Sequence, residues 1–195
     1  MQVSGRKRGW IIAASVIAAV VLAAGLALFK PWLLFVDVRV DEQLPTVAAS
    51  AEPSQQTASK DSSPSTAPTD GAPTEAPARP VQLAQGTLIS HEHAATGTVR
   101  IIRQPDGTRL LTLENLDTSN GPDVHVWLSA ADVVEGTAGW FTAGSADYFD
   151  LGLIKGNQGN QIYAIPADVD LSKYKSVDLW CVQFSISFGA AQLTT

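Results

Sequence analysis

The chain has 195 residues, of which 45% are hydrophobic, and its net charge is -6, a size that allows one domain with attachments. Residues 1–80 contain seven basic and seven acidic residues, whereas residues 81–195 contain six basic and twelve acidic ones, so the negative excess lies in the C-terminal part. An acidic domain repels phosphate backbones, which argues against nucleic acid as a partner.

An uncharged stretch of twenty residues, 10–29, follows a basic cluster at residues 6–8. A helix of that length matches the hydrocarbon core of a bilayer, so the sequence predicts a transmembrane helix over residues 10–30. The basic cluster predicts that residues 1–9 stay in the cytoplasm, giving a single-pass protein of the cell membrane with an extracytoplasmic C-terminal domain. A cleaved signal peptide is the alternative, but the bulky residues after the apolar stretch do not suit a cleavage site.

Two segments separate this helix from the C-terminal domain. Residues 31–43 include the alternating stretch FVDVRVDEQ, which fits either a short strand or an extension of the helix, and we assign it no function. Residues 44–82 are rich in Pro, Ala, Ser and Thr and hold almost no large apolar side chain, so they cannot offset the entropy of folding. We predict a disordered linker there that acts as a tether, lifting the domain off the membrane.

Residues 83–195 have the pattern of a β domain. Short apolar runs alternate with turn signals, such as the PDG at residues 105–107. No segment predicts a long amphipathic helix. The sequence therefore predicts an all-β fold, an antiparallel β-sandwich or barrel-like domain. The predicted strands cover residues 97–104, 108–116, 123–129, 148–154, 161–166 and 176–189.

The last of these runs contains the only cysteine of the chain, Cys181. Side chains of a single strand alternate between its two faces. One face is strongly apolar and is expected to line the core, whereas Cys181 lies on the other face, between Leu179 and Gln183. The expected core row comprises Trp180, Val182, Phe184, Ile186 and Phe188.

A single cysteine in an exported protein indicates a reactive thiol, an intermolecular disulfide or a cofactor ligand. The alternative is a small buried apolar side chain without chemistry. An intramolecular disulfide is excluded because the chain has no second cysteine.

Three histidines, His91, His93 and His125, lie in the predicted domain. If residues 91–93 are extended, His91 and His93 share one face and could form a mixed metal site with Cys181. The alternative is that all three are ordinary loop or surface residues. Trp127 shares the face of His125 and could line a ligand groove. The covalent haem motif C-x-x-C-H is absent.

Four ordered segments of the domain resemble the DM13 domain family over residues 86–193. They are GTLISHEHAATGTVRII, LENLDTSNGPDVHVWLS, LGLIKGNQGNQIYAIP and YKSVDLWCVQFSISFGAAQL. The resemblance implies an all-β domain that serves electron transfer or oxidative modification at cell surfaces, often beside cytochrome-like domains. It also implies that the family's cysteine, a free thiol or haem ligand, corresponds to Cys181, and that His93 occupies the family's histidine position.

These observations predict a membrane-tethered domain that takes part in electron transfer or thiol redox chemistry through Cys181. Cys181, His93 and His125 are the candidate cofactor-binding residues, with haem or a metal as the possible cofactor. The expected partner is a redox protein or a cell-wall ligand. The alternative function is a non-catalytic cell-surface binding module in which Cys181 is structural.

Overall fold

The computed structural model describes residues 4–46 and 79–195. An N-terminal helix, α1 (Ser4–Phe29), is followed by nine strands. They are β1 (Arg39–Asp41), β2 (Val81–Ser90), β3 (Ala95–Arg103), β4 (Arg109–Thr118), β5 (Val124–Ser129), β6 (Tyr148–Leu153), β7 (Gln158–Ile165), β8 (Ser176–Cys181) and β9 (Ile186–Gln192). Short 3₁₀ helices cover Pro31–Phe35, Gly136–Phe141, Ala143–Ser145 and Leu171–Lys173.

Helix α1 contains an apolar segment, Gly9–Phe29, with a mean hydropathy of 2.7 and none of its length buried in the protein. By length and composition this segment is able to cross a membrane. The helix stops where Lys30 adopts a left-handed conformation (φ 42°) and Pro31 follows, because proline cannot continue the hydrogen-bond ladder.

The nine strands form one curled sheet, a half-barrel, in the order β1-β7-β4-β3-β2-β9-β8-β5-β6. Strand β2 produces the curl, because its first part pairs with β3 and its last three residues pair with β9. Every pairing is antiparallel except β1 with β7. The prediction of an all-β antiparallel fold preceded by an apolar helix is therefore confirmed.

The concave face of the sheet encloses the main core. Alternate residues of the central strands point inward and are fully buried, as the period of two requires. They include Val99, Ile101, Leu111, Leu113, Val126, Leu128, Val177 and Leu179. The opposite face of β5, β8 and β9 is also buried, because residues 130–147 pack over it and enclose a second cluster of Trp127, Trp180 and Ala143.

Strand β1 makes part of the segment 31–43 a member of the β domain. It pairs in parallel with β7, and the Glu42 carboxylate just after it accepts hydrogen bonds from Lys155 Nζ at 2.8 Å and Ile162 N at 2.6 Å. Gly159 (φ +94°) permits this pairing, because a Cβ there would collide with the Val40 carbonyl. Of the two alternatives for residues 31–43, the short strand is thus present.

The position of β1 corrects the expected role of residues 44–82. Strand β1 precedes this segment and β2 follows it, so the segment joins two strands of one sheet. It therefore does not separate the helix from the domain, and the prediction of a tether is wrong. The predicted disorder falls mainly on residues 47–78, which lie outside the described residues.

The run 176–189 is two strands, not one. Strands β8 and β9 pair antiparallel around a turn at residues 182–185, where Ser185 has a positive φ of 53°. Because the turn interrupts the alternation, the expected core row is only partly correct. Phe188 belongs to the main core and Trp180 is buried in the second cluster, but Val182 and Phe184 are 40% and 46% exposed. In β8 the row that faces the main core is the other one, Val177, Leu179 and Cys181.

Candidate functional site

Cys181 lies at the end of β8, where the turn to β9 begins. Its neighbours across the sheet are Val124 of β5 and Ile186 of β9. The residue is 0% exposed and belongs to the main core cluster. Its thiol is therefore free but enclosed.

Burial raises the pKa of the Cys181 thiol, because a thiolate loses its hydration there, and the nearby Asp123 carboxylate raises it further. The backbone amides of Phe184, Gln183 and Asp123 oppose this effect by favouring the thiolate. Burial outweighs the amides, so the closed structure holds a protonated thiol, which is a weak nucleophile.

The enclosure of Cys181 does not suit a haem ligand. An axial ligand needs an open side on which the iron can sit, and this thiol has core side chains on one side and the amides of the 182–185 turn on the other. Within residues 4–46 and 79–195, no group of three or more His, Cys, Asp and Glu side chains could hold a metal ion.

The histidines of the HEH motif have different surroundings. Strand β2 ends at Ser90 and residues 91–93 form a bend, so the expectation that both imidazoles share one face is wrong. His93 Nε2 lies 2.6 Å from Glu92 Oε2, and its ring centroid lies 3.9 Å from that of Phe188. His91 is 8% exposed and lies beneath residues 130–147.

His125 is on the opposite face of the sheet from Cys181. Its Nδ1 lies 2.8 Å from Asp150 Oδ2 and its Nε2 lies 3.2 Å from Asp123 Oδ1. Because His125 is directly across from Trp180, it points away from the main core. The structure therefore does not bring His125, His93 and Cys181 together as one set of ligands.

An apolar cavity adjoins the turn that covers Cys181. Its volume is about 410 Å³, and it lies between the end of α1 and the β8–β9 side of the sheet. Ile186, the cross-strand neighbour of Cys181, lines it, and so does His93. The thiol and the cavity thus share one wall. The apolar side chains around the cavity include Phe29, Pro31, Leu33, Phe184 and Phe188.

Three aromatic rings stack on the outer face of β5 and β8. Trp127 lies between Tyr148, at 3.7 Å between ring centroids, and Trp180, at 5.1 Å. Trp127 is only 5% exposed, so it does not line an open groove as expected. Gly144 allows residues 136–145 to cover the stack, because a Cβ there would collide with the Trp180 ring.

A buried polar chain missed by the sequence analysis runs beside these rings. Asp178 Oδ2 lies 2.9 Å from Ser187 Oγ, which lies 2.7 Å from His91 Nδ1, and His91 Nε2 lies 3.1 Å from the Val134 carbonyl. The carbonyl can only accept, so Nε2 carries a hydrogen. The only sequence signal was a carboxylate in the middle of the apolar run VDLW, at residues 177–180.

Ser187 makes two hydrogen bonds, one with Asp178 and one with His91. Together these bonds require one proton more than an ionised Asp178 and a neutral His91 would carry. Either Asp178 is protonated and donates to Ser187, which donates to His91, or His91 is charged and the donation runs the other way. Burial raises the pKa of Asp178 to about 7 and lowers the pKa of His91. Both effects favour the proton on Asp178.

Comparison with known proteins identifies the family of the β domain. An antiparallel sheet that encloses one free thiol defines the class of the protein as an all-β domain with a buried cysteine. Residues 87–193 match the family described as Electron transfer DM13, so the chain belongs to the DM13 family. This confirms the resemblance and supports a general role in electron transfer. No curated protein and no solved structure matches the chain.

Proposed function

We propose that this protein is anchored in the membrane by α1, holds its DM13 domain on the extracytoplasmic side, and transfers electrons through the Cys181 thiol. The observation that carries the proposal is that the single cysteine of the chain lies within the DM13 match, at residues 87–193. The basic residues at positions 6–8 support the orientation, because such clusters stay cytoplasmic.

The contacts of the 182–185 turn support a thiol close to the membrane. The Phe184 ring stacks on Phe29 at the end of α1, with 5.9 Å between centroids and 8° between planes, and Gln183 Nε2 donates to the Leu28 carbonyl at 3.0 Å. Trp32 is 49% exposed just beyond the apolar segment, where aromatic residues commonly meet the lipid headgroups.

The same turn supplies a route to the enclosed thiol. It is four residues long, and three of its residues, Val182, Phe184 and Ser185, are exposed. Opening this turn would hydrate Cys181, remove the penalty that burial imposes on the thiolate and make the sulfur accessible to a redox partner. The proposed role of Cys181 is that of a redox thiol, not a cofactor ligand.

Labelling with a maleimide tests the proposal, because Cys181 is the only thiol in the full-length protein. In nanodiscs we expect slow labelling of the folded protein that accelerates at least tenfold in Phe184→Gly, which loosens the turn. A titration of the wild type with glutathione and glutathione disulfide should show a mixed-disulfide couple, in which Cys181 Sγ bonds to one glutathione sulfur while the other glutathione leaves as the thiol, and Cys181→Ser should lack this couple. Labelling confined to unfolded protein, with identical titrations for both proteins, would overturn the proposal.

One observation favours a second candidate function, a non-catalytic binding module at the cell surface. Cys181 is 0% exposed and packs in the main core, as a structural residue would. In that case Cys181→Ser would lower stability without changing any redox property of the protein. The titration described above separates the two functions.

A further inference from the structure

The cavity at the end of α1 has a shape, a position and a polar edge that suit a lipid-soluble redox molecule. We propose that this cavity binds the head group of a lipid quinone. The inference rests on the proposed membrane anchoring and electron-transfer role, and it names the class of small molecule that the domain meets there.

The position of the cavity points to a ligand from the bilayer. One side is formed by Phe29, Pro31 and Leu33, which lie at and just beyond the end of the apolar segment Gly9–Phe29. With that segment across a bilayer, the cavity lies at the level of the lipid headgroups. A molecule dissolved in the lipid can enter it without crossing water.

The size and walls of the cavity suit a planar ring. Its volume of about 410 Å³ falls in the range of small-molecule sites. The sheet side presents the rings of Phe184 and Phe188, and the Phe184 ring is nearly parallel to that of Phe29. Flat aromatic walls favour stacking with another ring, whereas a flexible acyl chain gains nothing from their orientation.

The polar edge of the cavity supplies partners for oxygen atoms at the rim of such a ring. His93 lines the cavity, and its Nε2 is held by Glu92 at 2.6 Å. His93 Nδ1 is then able to accept from a quinol hydroxyl or, when the imidazole is charged, to donate to a quinone carbonyl. Lys30, which also lines the cavity, adds a cationic donor. A simple hydrocarbon chain would leave these groups without a role.

The test measures binding of a decyl-substituted benzoquinone to the full-length protein in phosphatidylcholine nanodiscs, with protein-free nanodiscs as the reference. We expect saturable uptake of one quinone per protein above the reference. His93→Ala and Phe184→Ala should each weaken binding by about tenfold, since each removes one wall or edge contact. Phe141→Ala is the matched control, because Phe141 is 56% exposed and does not line the cavity.

Three outcomes would overturn the inference. They are uptake equal to that of empty nanodiscs, uptake unchanged in both cavity variants, and displacement of the quinone by decanol at equal concentration, which would show a site for alkyl chains. A tryptophan emission spectrum of each variant checks that it is folded. Failure of quinone binding while the Cys181-dependent redox couple persists refutes only this inference. Loss of that couple while quinone binding persists refutes the proposed function instead.

Discussion

Replacing Asp178 by asparagine should make the protein more stable at alkaline pH. The Asp178 side chain is 2% exposed, and Ser187 is its only hydrogen-bond partner within the described part of the chain, leaving Oδ1 unsatisfied. Burial raises its pKa from an ordinary value of 3.8 to about 7, although the Ser187 bond opposes this. Ionised Asp178 therefore destabilises the native state at high pH.

The direction and size of the effect follow from the two pKa values. Because the pKa is higher in the folded state, the stability linked to the bound proton is fully present below about pH 4 and is lost as the pH rises through about 7. At about 1.4 kcal/mol for each pH unit, the loss is on the order of 4 kcal/mol. Asparagine has the same size, donates to Ser187 as the protonated carboxyl does, and does not ionise.

Urea unfolding of the full-length protein in detergent, followed by tryptophan emission, measures the effect. At about pH 3.5, below both pKa values, the free energy of unfolding of Asp178→Asn should match that of the wild type within about 1 kcal/mol. At pH 9 the variant should be more stable by about 2–4 kcal/mol. His91, whose pKa burial lowers, contributes to both proteins, so the difference between them reports mainly on Asp178.

Asp132→Asn provides the matched control. The Asp132 side chain is 66% exposed and pairs with Lys175 at the surface, so its removal should change stability by less than about 1 kcal/mol at either pH. If Asp178→Asn were destabilised equally at both pH values, Asp178 would be ionised with a partner in the native state, and the reasoning from burial would be refuted.

Three further changes test separate parts of the structure. Cys181→Ser should lower the free energy of unfolding by about 1–2 kcal/mol. The buried hydroxyl is more polar than the thiol, but it can accept hydrogen bonds from the surrounding backbone amides. A loss above about 4 kcal/mol in a urea titration would contradict this. Gly159→Ala should cost at least about 2 kcal/mol and expose residues 36–46 to proteolysis, because its Cβ would displace β1; unchanged protection would refute the role of that pairing. Trp180→Ala should cost about 3–5 kcal/mol by opening a cavity under residues 136–145, and Trp180→Phe should cost less; equal losses in a thermal melt would show that packing is not the cause.

The parts of the fold predicted correctly depend on local signals. Strands β3 and β4 were predicted because the residues of the PDG turn between them favour a turn by themselves. Asp106 Oδ1 accepts a hydrogen bond from Thr108 N at 2.9 Å, and Gly107 adopts a φ of +87°. The turn at residues 182–185 was missed because its sequence, VQFS, contains neither glycine nor proline. Without that turn the alternation assigned Cys181 to the wrong face.

The parts that the sequence did not predict depend on contacts between distant residues. Strand β1 pairs with β7, more than 110 residues later, so nothing near residues 39–41 shows that they join the sheet. The polar chain likewise joins His91 to Ser187, 96 residues apart. Residue type and family resemblance were enough to select Cys181 and His93 as candidates. The fold was needed to show how far each residue is buried and that both lie beside the same cavity.

The pairing of β1 limits which partners can reach Cys181. Only nine residues, 30–38, connect α1 to the sheet, and five of them form a 3₁₀ helix, so the connection spans at most about 25 Å. The segment 44–82 cannot lengthen it, because that segment begins after β1. With α1 in a bilayer, the domain is therefore held against the lipid surface. The turn over Cys181 also contacts Leu28 and Phe29. The electron transfer that we propose for the thiol would therefore involve most directly a partner in or at the membrane, whereas a soluble partner would have to approach from the side of the domain.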